Sequence, residues 1–434
     1  MSSPLDWSLI NGPVPVVLVV SALAVLVALL WVRRRTWWTT IVPPCLLIAV
    51  LGAVGEKFLI ENLYRPFPDA LPPLLYAWLG VTVLATSLAI ARMRSAAWRG
   101  RVLMVAGVVL TVVVAVSQVN VHYGMYVTLR TALARFLDKP TDLASVRGSD
   151  STAVRNTPGT PLEDMWTPPA TMPDEGTLST VTIPSSGGFQ PSNAWVYLPP
   201  AYLASPRAEL PVLVMLSGDP GSTRDWIDGG QLKTTLDDFA HQHHGLAPVV
   251  VTADDQGSGG TNPMCMNSRL GQVETYLTTD VPTWIHRNLQ VTEDHHRWAV
   301  GGLSSGGTCS LQLAVRAPAV YPTFLDFSGQ SEPTLGTRQE TVDRAFGGDQ
   351  AAFTKINPMD IMATTRFLGT AGVIGAGRDD GVYEPQQRTV IQAGTAAGMD
   401  LRWMDVPGGH SWTVWRELFR QSLPWLASRT ELTR

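Results

Sequence analysis

The 434-residue sequence predicts an α/β domain, with a mostly parallel sheet flanked by helices, preceded by an N-terminal bundle of four transmembrane helices. Uncharged apolar stretches of membrane-spanning length occupy roughly the first 120 residues. Beyond residue 176, strand-like apolar runs alternate with segments of helical periodicity, as in a parallel sheet covered by helices. Three domains are therefore expected: four spans (1–122), a juxtamembrane helix and linker (123–175) and the α/β domain (176–434).

The composition argues against several classes of partner and cofactor. The net charge is −4 and no run is rich in Lys or Arg, which argues against a nucleic-acid partner. The three cysteines, Cys45, Cys265 and Cys309, form no C-x-x-C pair, so no zinc or iron–sulfur site is expected. No metal or organic cofactor is predicted. Cys265 and Cys309 could form a disulfide if the domain lies outside the cytoplasm, or could be two buried thiols.

Four uncharged stretches are long enough to span a membrane: residues 7–32, 36–55, 70–91 and 102–121. The first is too long for a signal peptide and has no small-residue cleavage site, so it is expected to stay in the protein. The second contains Pro43-Pro44 and is the weakest of the four. Glu56, Lys57 and Glu61 follow it and are expected in an outer loop rather than at an intramembrane site.

The basic residues of the connecting loops predict the orientation of the spans. Seven arginines lie in the connections between spans 1 and 2 and between spans 3 and 4: Arg33, Arg34, Arg35, Arg92, Arg94, Arg99 and Arg101. The remaining connection carries Lys57 and Arg65, and the N-terminal tail has no basic residue. Because Arg-rich loops stay in the cytoplasm, both termini and the α/β domain are expected outside it, on a multi-pass protein of the plasma membrane.

A segment of different composition joins the spans to the α/β domain. Tyr123–Phe136 is predicted to form a short amphipathic helix. From Lys139 to about Gly176 the chain is rich in Pro, Thr, Ser, Gly and Asp, which is typical of a linker. This linker is expected to let the α/β domain reach the membrane surface.

Within the α/β domain, eight apolar runs are predicted as strands: Thr177–Ile183, Ala194–Leu198, Val212–Leu216, Val249–Ala253, Trp298–Val300, Thr323–Phe327, Gly372–Gly375 and Leu401–Val406. The run Val273–Asn288 is predicted as the helix before the fifth of these strands. Ligands bind such sheets at the carboxyl ends of the strands, and the motifs described next all fall there.

Gly302-Leu303-Ser304-Ser305-Gly306 fits the G-x-S-x-G pattern of a nucleophile elbow. It lies between the strand Trp298–Val300 and a run with helical spacing, Cys309–Ala317, which is the context that this motif requires. In so sharp a turn, only glycine leaves room at the positions of Gly302 and Gly306. Ser304 is therefore the predicted nucleophile, at a helix N-terminus that favours developing negative charge.

A nucleophilic serine needs a base to take its proton and a carboxylate to orient that base. In α/β-hydrolases these follow in the order Ser, Asp or Glu, His. Asp379 and Asp380 come directly after the predicted strand Gly372–Gly375, and His410 lies in a Gly-rich loop after Leu401–Val406. His410 is the predicted base, and the spacing Gly-x-x-Asp favours Asp380 over Asp379 as the acid.

An oxyanion hole needs two preorganised N–H donors. The first is expected to be the backbone N–H of Ser305, the residue after the nucleophile. The second is expected from the loop Ser217–Gly221, where Pro220 has no N–H and Asp219 is the favoured donor. The alternative is that this loop is only a turn.

Three segments resemble the esterase family that includes esterase D, enterochelin and feruloyl esterases, and the mycobacterial mycolyltransferases. They are AVGGLSSGG (Ala299–Gly307), TYLTTDVPTWI (Thr275–Ile285) and GGHSWTVWR (Gly408–Arg416), of which the last is the most specific. The resemblance covers about residues 186–434, and Val119–Tyr126 resembles the junction in actinobacterial four-span membrane proteins of this kind. It implies an α/β-hydrolase fold and a catalytic triad of Ser304, Asp380 and His410.

The chain departs from the mycolyltransferases in two places. Those enzymes have a Glu as the acid and an LDG-type loop, whereas this chain has Asp380 and Leu216-Ser217-Gly218. The sequence therefore predicts a membrane-integral serine esterase that hydrolyses a lipid or small-molecule ester of the cell envelope. Two alternatives stay open: an acyltransferase that passes the acyl group to a sugar, and a non-catalytic membrane sensor or scaffold. The oligomeric state is not predicted.

Overall fold

The computed structural model describes residues 3–64, 70–137, 139–146, 152–258 and 262–434. The chain divides into two compact units, Met1–Arg135 and Phe136–Arg434. Each unit has its own buried apolar interior. Arg65, one of the two basic residues assigned above to the connection between spans 2 and 3, lies outside the described residues.

The first unit contains four long apolar helices: α1 (Pro13–Leu30), α2 (Val42–Phe58), α3 (Pro73–Met93) and α4 (Trp98–Tyr123). With the turns that extend α2 to Trp37–Tyr64, all four are long and apolar enough to cross a membrane. Small residues such as Ala85 and Ala89 pack at the buried contact between helices. Most of the large apolar side chains face outward, which is compatible with a lipid environment.

The second of these helices is longer than predicted. It is preceded by a π-helical turn, Trp37–Ile41, just before Pro43-Pro44, and is followed by another, Leu59–Tyr64. A wider turn accommodates prolines, which lack an N–H and crowd the preceding carbonyls. The placement of Glu56, Lys57 and Glu61 in a loop is therefore wrong, because all three lie on the helix. Glu61 pairs with Lys57 at 3.8 Å and accepts a hydrogen bond from Tyr76 at 3.2 Å, which satisfies its charge there.

The helix predicted over Tyr123–Phe136 begins later, as α5 (Leu129–Leu137). Gly124 ends α4 in the left-handed conformation, at φ 66°. The side chain of Asn120 then bonds both the N–H and the carbonyl of Tyr126, which fixes the turn that separates the two helices.

The second unit is built on an eight-stranded sheet, in the order β12-β11-β10-β9-β5-β6-β3-β2. The strands of this unit are β1 (Ala153–Val154), β2 (Thr177–Val181), β3 (Ala194–Leu198), β4 (Arg207–Ala208), β5 (Val212–Leu216), β6 (Val249–Thr252), β7 (Asn267–Ser268), β8 (Gly271–Gln272), β9 (Trp298–Leu303), β10 (Thr323–Phe327), β11 (Ala371–Gly377) and β12 (Asp400–Val406). Strand β3 is antiparallel to both its neighbours, and every other pair in the sheet is parallel. The mostly parallel sheet and its eight predicted strands are confirmed.

Helices cover both faces of this sheet, and every residue of the central strands β5, β9 and β10 is buried as a result. The helices are α6 (Leu143–Val146), α7 (Pro200–Leu203), α8 (Asp225–Asp228), α9 (Leu232–Gln242), α10 (Val273–Thr275), α11 (Val281–Asn288), α12 (Ser305–Arg316), α13 (Arg338–Phe346), α14 (Gln350–Thr354), α15 (Pro358–Met362), α16 (Tyr383–Ala396) and α17 (Trp412–Arg429). The predicted helix Val273–Asn288 is present as α10 and α11, joined by a π-helical turn that accommodates Pro282.

Much of the predicted linker packs on the α/β domain. Strand β1 pairs with β4, and the side chains of Leu162 and Trp166 are buried. The indole N–H of Trp166 donates to the carbonyl of His244 at 2.9 Å, and the N–H of Leu162 donates to the carbonyl of Glu431. The packed domain thus begins before residue 176, because two large apolar side chains anchor a segment whose overall composition is that of a loop.

Candidate active site

The elbow between β9 and α12 holds Ser304 in a strained conformation. Its φ of 51° and ψ of −121° lie in a region that residues with a side chain rarely adopt. The N–H of Ser304 donates to the carbonyl of Phe327 at 2.8 Å, and its own carbonyl accepts from the N–H of Thr308 at 3.0 Å. The surrounding backbone therefore fixes the turn on both sides of the serine, which is 7% exposed.

The two elbow glycines are required by close backbone contacts. A Cβ on Gly302 would lie 2.2 Å from the carbonyl oxygen of Gly306. A Cβ on Gly306 would lie 2.3 Å from the carbonyl oxygen of Ser217, in the loop after β5. No side chain fits at either position, which agrees with the reason for glycine inferred from the sequence.

Three elements bring Ser304, His410 and Asp380 together at the carboxyl edge of the sheet. The Nε2 of His410 is 3.0 Å from the Oγ of Ser304, and its Nδ1 is 2.9 Å from the Oδ2 of Asp380. The three residues follow β9, β12 and β11, which are parallel strands whose carboxyl ends share one edge. Such a chain of hydrogen bonds allows the imidazole to take the serine proton while the carboxylate holds the other ring nitrogen.

The turn after β11 separates the two candidate acids. The side chain of Asp380 is buried, and its second oxygen accepts from the N–H of Tyr383 at 3.1 Å. Asp379 is exposed, and its carboxylate accepts from the N–H of Gly408 at 3.2 Å. Asp380, rather than Asp379, therefore contacts His410. Asp379 instead binds the backbone of the loop that carries His410.

Two aromatic residues that the sequence did not single out contact His410. The ring of Tyr383 is stacked on the imidazole, with centroids 4.1 Å apart and planes 21° from parallel. Trp415 meets the imidazole edge-on, at 4.8 Å and 88°. Both are close along the chain to a predicted site residue. Aromatic residues in helices usually pack in the core, however, so their spacing alone does not identify them as contacts of the catalytic histidine.

The loop after β5 lies beside the nucleophile. A Cβ on Gly218 would be 3.3 Å from the Cβ of Ser304, so the backbone there approaches the elbow closely. The carboxylate of Asp219 accepts a hydrogen bond from the side chain of Asn262 at 2.7 Å. Burial raises the pKa of Asp219, and the bond from Asn262 partly offsets this. Ser305 is the first residue of α12, at the helix end where backbone N–H groups have no helical acceptor.

Cys265 and Cys309 form a disulfide that links the loop after β6 to α12. The Sγ of Cys265 is 3.7 Å from the Oδ2 of Asp255, which is fully buried. Burial, followed by the charge of Asp254, raises the pKa of Asp255 well above its ordinary value. Although three potential ligand atoms meet here, the bonded sulfurs are not thiolates, so this cluster is a disulfide beside a buried carboxyl group.

A family model described as "Putative esterase" matches residues 190–426 of the chain. An uncharacterized protein of Corynebacterium glutamicum is 35% identical over 428 residues, with 95% of each chain covered. Two solved structures are similar in fold. A ferulic acid esterase aligns with a TM-score of 0.50 at 18% identity, over 59% of this chain and 99% of its own. An S-formylglutathione hydrolase from Agrobacterium tumefaciens aligns with a TM-score of 0.51 at 18% identity, over 59% and 97%.

The family match includes all three hydrogen-bonded residues, from Ser304 to His410. The similarity to the Corynebacterium protein extends over most of the chain, whereas the two solved structures, at their low identity, show the fold alone. The family resemblance inferred from the sequence motifs is confirmed, and so is the α/β-hydrolase fold. The chain belongs to the Esterase family.

Proposed function

We propose that the protein is a serine esterase that hydrolyses carboxylic esters through a covalent acyl-enzyme. The observation that carries this proposal is the continuous chain of hydrogen bonds from Asp380 through His410 to Ser304, at 2.9 and 3.0 Å. Membership of the Esterase family supports the same class of reaction.

In the proposed mechanism, the Oγ of Ser304 attacks the ester carbonyl while the Nε2 of His410 takes its proton. The tetrahedral intermediate collapses, and His410 gives that proton to the departing alcohol, which leaves an acyl-serine. His410 then takes a proton from water, whose oxygen attacks the acyl group to form a second tetrahedral intermediate. As this intermediate collapses, His410 returns the proton to the Oγ of Ser304, and the carboxylic acid is released. Asp380 holds the Nδ1–H throughout and favours the imidazolium that forms in each step.

The developing oxyanion needs preorganised donors beside Ser304. We assign them to the backbone N–H groups of Ser305 and Asp219. The position of Ser305 at the start of α12 and the close approach of Gly218 to Ser304 support this assignment. No step requires a metal ion or an organic cofactor.

We further propose that the four apolar helices anchor the enzyme and that its catalytic domain faces the outside of the plasma membrane. Seven arginines in two of the connections favour that orientation. The disulfide between Cys265 and Cys309 supports it as well, because such bonds persist in oxidising compartments. An anchored esterase on that face has ready access to lipid and other envelope esters, which are the proposed substrates.

Turnover of p-nitrophenyl esters by the full-length protein in detergent micelles tests the chemistry. Wild type is expected to hydrolyse short acyl esters, and Ser304→Ala is expected to reduce turnover to the background rate. Ser186→Ala changes an exposed serine of the same domain and serves as the matched control, with turnover like that of wild type. A folded wild type without turnover, or a fully active Ser304→Ala, would contradict the proposal.

A second arm of this experiment asks which acceptor takes the acyl group. Product analysis with and without an added sugar is expected to give the free acid in both cases. Asp380 and Leu216-Ser217-Gly218 replace the Glu and the LDG-type loop of mycolyltransferases, which favours water. An acylated sugar as the main product would instead identify a transferase that uses the same serine.

A further inference from the structure

Tyr383, the first residue of α16, contacts two of the three proposed catalytic residues. Its backbone N–H donates to the Oδ1 of Asp380 at 3.1 Å, while the other carboxylate oxygen binds His410. Its ring is stacked on the imidazole of His410, with a centroid separation of 4.1 Å and an angle of 21° between the planes. One buried residue therefore holds both the carboxylate and the imidazole.

The two contacts restrict different motions. The hydrogen bond to Oδ1 limits rotation of the carboxylate, so that Oδ2 stays directed at the Nδ1 of His410. The stacked ring covers one face of the imidazole, and Trp415 meets it edge-on, so the ring has little freedom to tilt. In this orientation of the ring, the Nε2 of His410 lies 3.0 Å from the Oγ of Ser304.

The stacked ring of Tyr383 also interacts with the charge that forms on His410. His410 is neutral when it accepts the serine proton and cationic in the intermediate that follows. The face of an aromatic ring carries negative potential and attracts a cation placed over it, more strongly where water is excluded. Because Tyr383 is buried, it presents this face to the imidazole with little competing water.

Among the described residues, the groups around the imidazole of His410 come from the turn after β11, the elbow, α16 and α17. The turn after β11 contributes Asp380, whose carboxylate binds it, and Asp379, whose carboxylate binds the N–H of Gly408. The elbow contributes the neutral Ser304, and α17 contributes the neutral ring of Trp415. Among the described residues, Asp380 is the charged partner bonded to the imidazole and Tyr383 is its stacking partner.

We propose that Tyr383 is a positioning residue of the esterase, whose ring keeps His410 aligned with Ser304 and favours its protonated form. This inference rests on the function proposed above for Ser304, His410 and Asp380. It assigns the effect to the aromatic ring and not to the tyrosine hydroxyl, so a phenylalanine retains it.

The test is the pH profile of kcat/KM for p-nitrophenyl acetate, measured with full-length protein in micelles for wild type, Tyr383→Phe and Tyr383→Leu. The Phe variant is expected to stay within about two-fold of wild type. The Leu variant is expected to lose about three- to thirty-fold on the plateau, the factor that corresponds to the strength of a cation–π contact. Its acid limb is expected to move to lower pH by about 0.4–1.5 units, because the protonated imidazole loses its support.

Three controls separate this inference from a loss of folding and from the proposed function itself. Val382→Ala, at the exposed neighbouring position, is expected to keep the wild-type profile. Thermal unfolding establishes whether Tyr383→Leu is folded, and Tyr383→Met replaces it if it is not. An active wild type with an inactive Ser304→Ala establishes the esterase independently of Tyr383.

A Leu or Met variant that keeps the wild-type acid limb, whatever its kcat, would show a packing role and overturn the inference. A Tyr383→Phe variant that loses as much activity as Tyr383→Leu would also overturn the inference. If Ser304→Ala remains fully active, the proposed function fails first.

Discussion

Asp379 and Asp380 are neighbours in one turn, yet their carboxylates have different partners. Asp380 is buried against His410, whereas Asp379 is exposed and holds the N–H of Gly408. In a triad, an acid that becomes an amide leaves the imidazole in the wrong tautomer. In contrast, an amide oxygen still accepts a backbone N–H. The two positions therefore respond differently to the same substitution.

Asp380→Asn is expected to lower kcat by roughly 10³- to 10⁴-fold. The matched variant Asp379→Asn is expected to cost less than about ten-fold, since the bond to Gly408 is retained. Ester turnover by the two purified variants checks the difference, once thermal unfolding has established that each variant is folded. Equal losses in both would contradict the assignment of Asp380 as the acid.

Local sequence signals at the residue scale were enough to locate Ser304 and His410. Both lie in short Gly-rich turns, and glycine at Gly302 and Gly306 is imposed by backbone contacts that a motif records directly. The proposed role of Tyr383 could not be predicted from the sequence, because it depends on how α16 packs on the loop before α17 and not on a spacing along the chain. The spacing Gly-x-x-Asp already favoured Asp380 over Asp379, and the turn buries the carboxylate of Asp380 against His410.

At the scale of elements, Asp326 is a fully buried residue of strand β10. Its Oδ1 accepts the N–H of Gly329 at 3.1 Å, and its Oδ2 accepts from the side chain of Gln387, on α16, at 3.1 Å. Burial raises the pKa of Asp326 to about 7, although both hydrogen bonds oppose that shift. Ionising this carboxyl group in the folded protein is therefore more costly than in the unfolded chain.

The folded pKa of Asp326 lies above the unfolded value, so its neutral form stabilises the fold at low pH. That contribution is lost progressively as the pH rises from about 4 through about 7. Asp326→Asn cannot ionise, so its melting temperature relative to wild type is expected to be higher at pH 8 than at pH 5. Thermal unfolding at the two pH values checks this, and a difference independent of pH would contradict it.

The strands of the sheet were predictable because buried parallel strands are nearly continuous apolar runs. The ends of the strands were less predictable. Gly301 and Gly302 suggest a turn, yet they pair with Met215 and Leu216 and extend β9 to the elbow. Leu162 and Trp166 were hidden in a segment of linker composition, since two apolar residues do not outweigh its Pro, Gly and Ser content.

At the scale of the whole molecule, the distribution of arginines predicts which loops stay in the cytoplasm. Single cysteines placed in a Cys45→Ala background test this with a membrane-impermeant maleimide on intact cells. Asn11→Cys, just before the start of α1, is expected to be labelled, whereas Ser95→Cys, in an Arg-rich connection, is expected to require permeabilised cells. The reverse pattern would contradict the proposed outer location of the catalytic domain.

The central claim is that Ser304 is the nucleophile of an esterase. The most direct measurement is reaction of the full-length protein with a fluorophosphonate, followed by peptide mass spectrometry to locate the adduct. The account predicts one phosphonylated residue, Ser304, and a much slower reaction in Asp380→Asn, because the imidazole no longer activates the serine. A folded wild type that stays unmodified, or that carries the adduct on another residue, would contradict it.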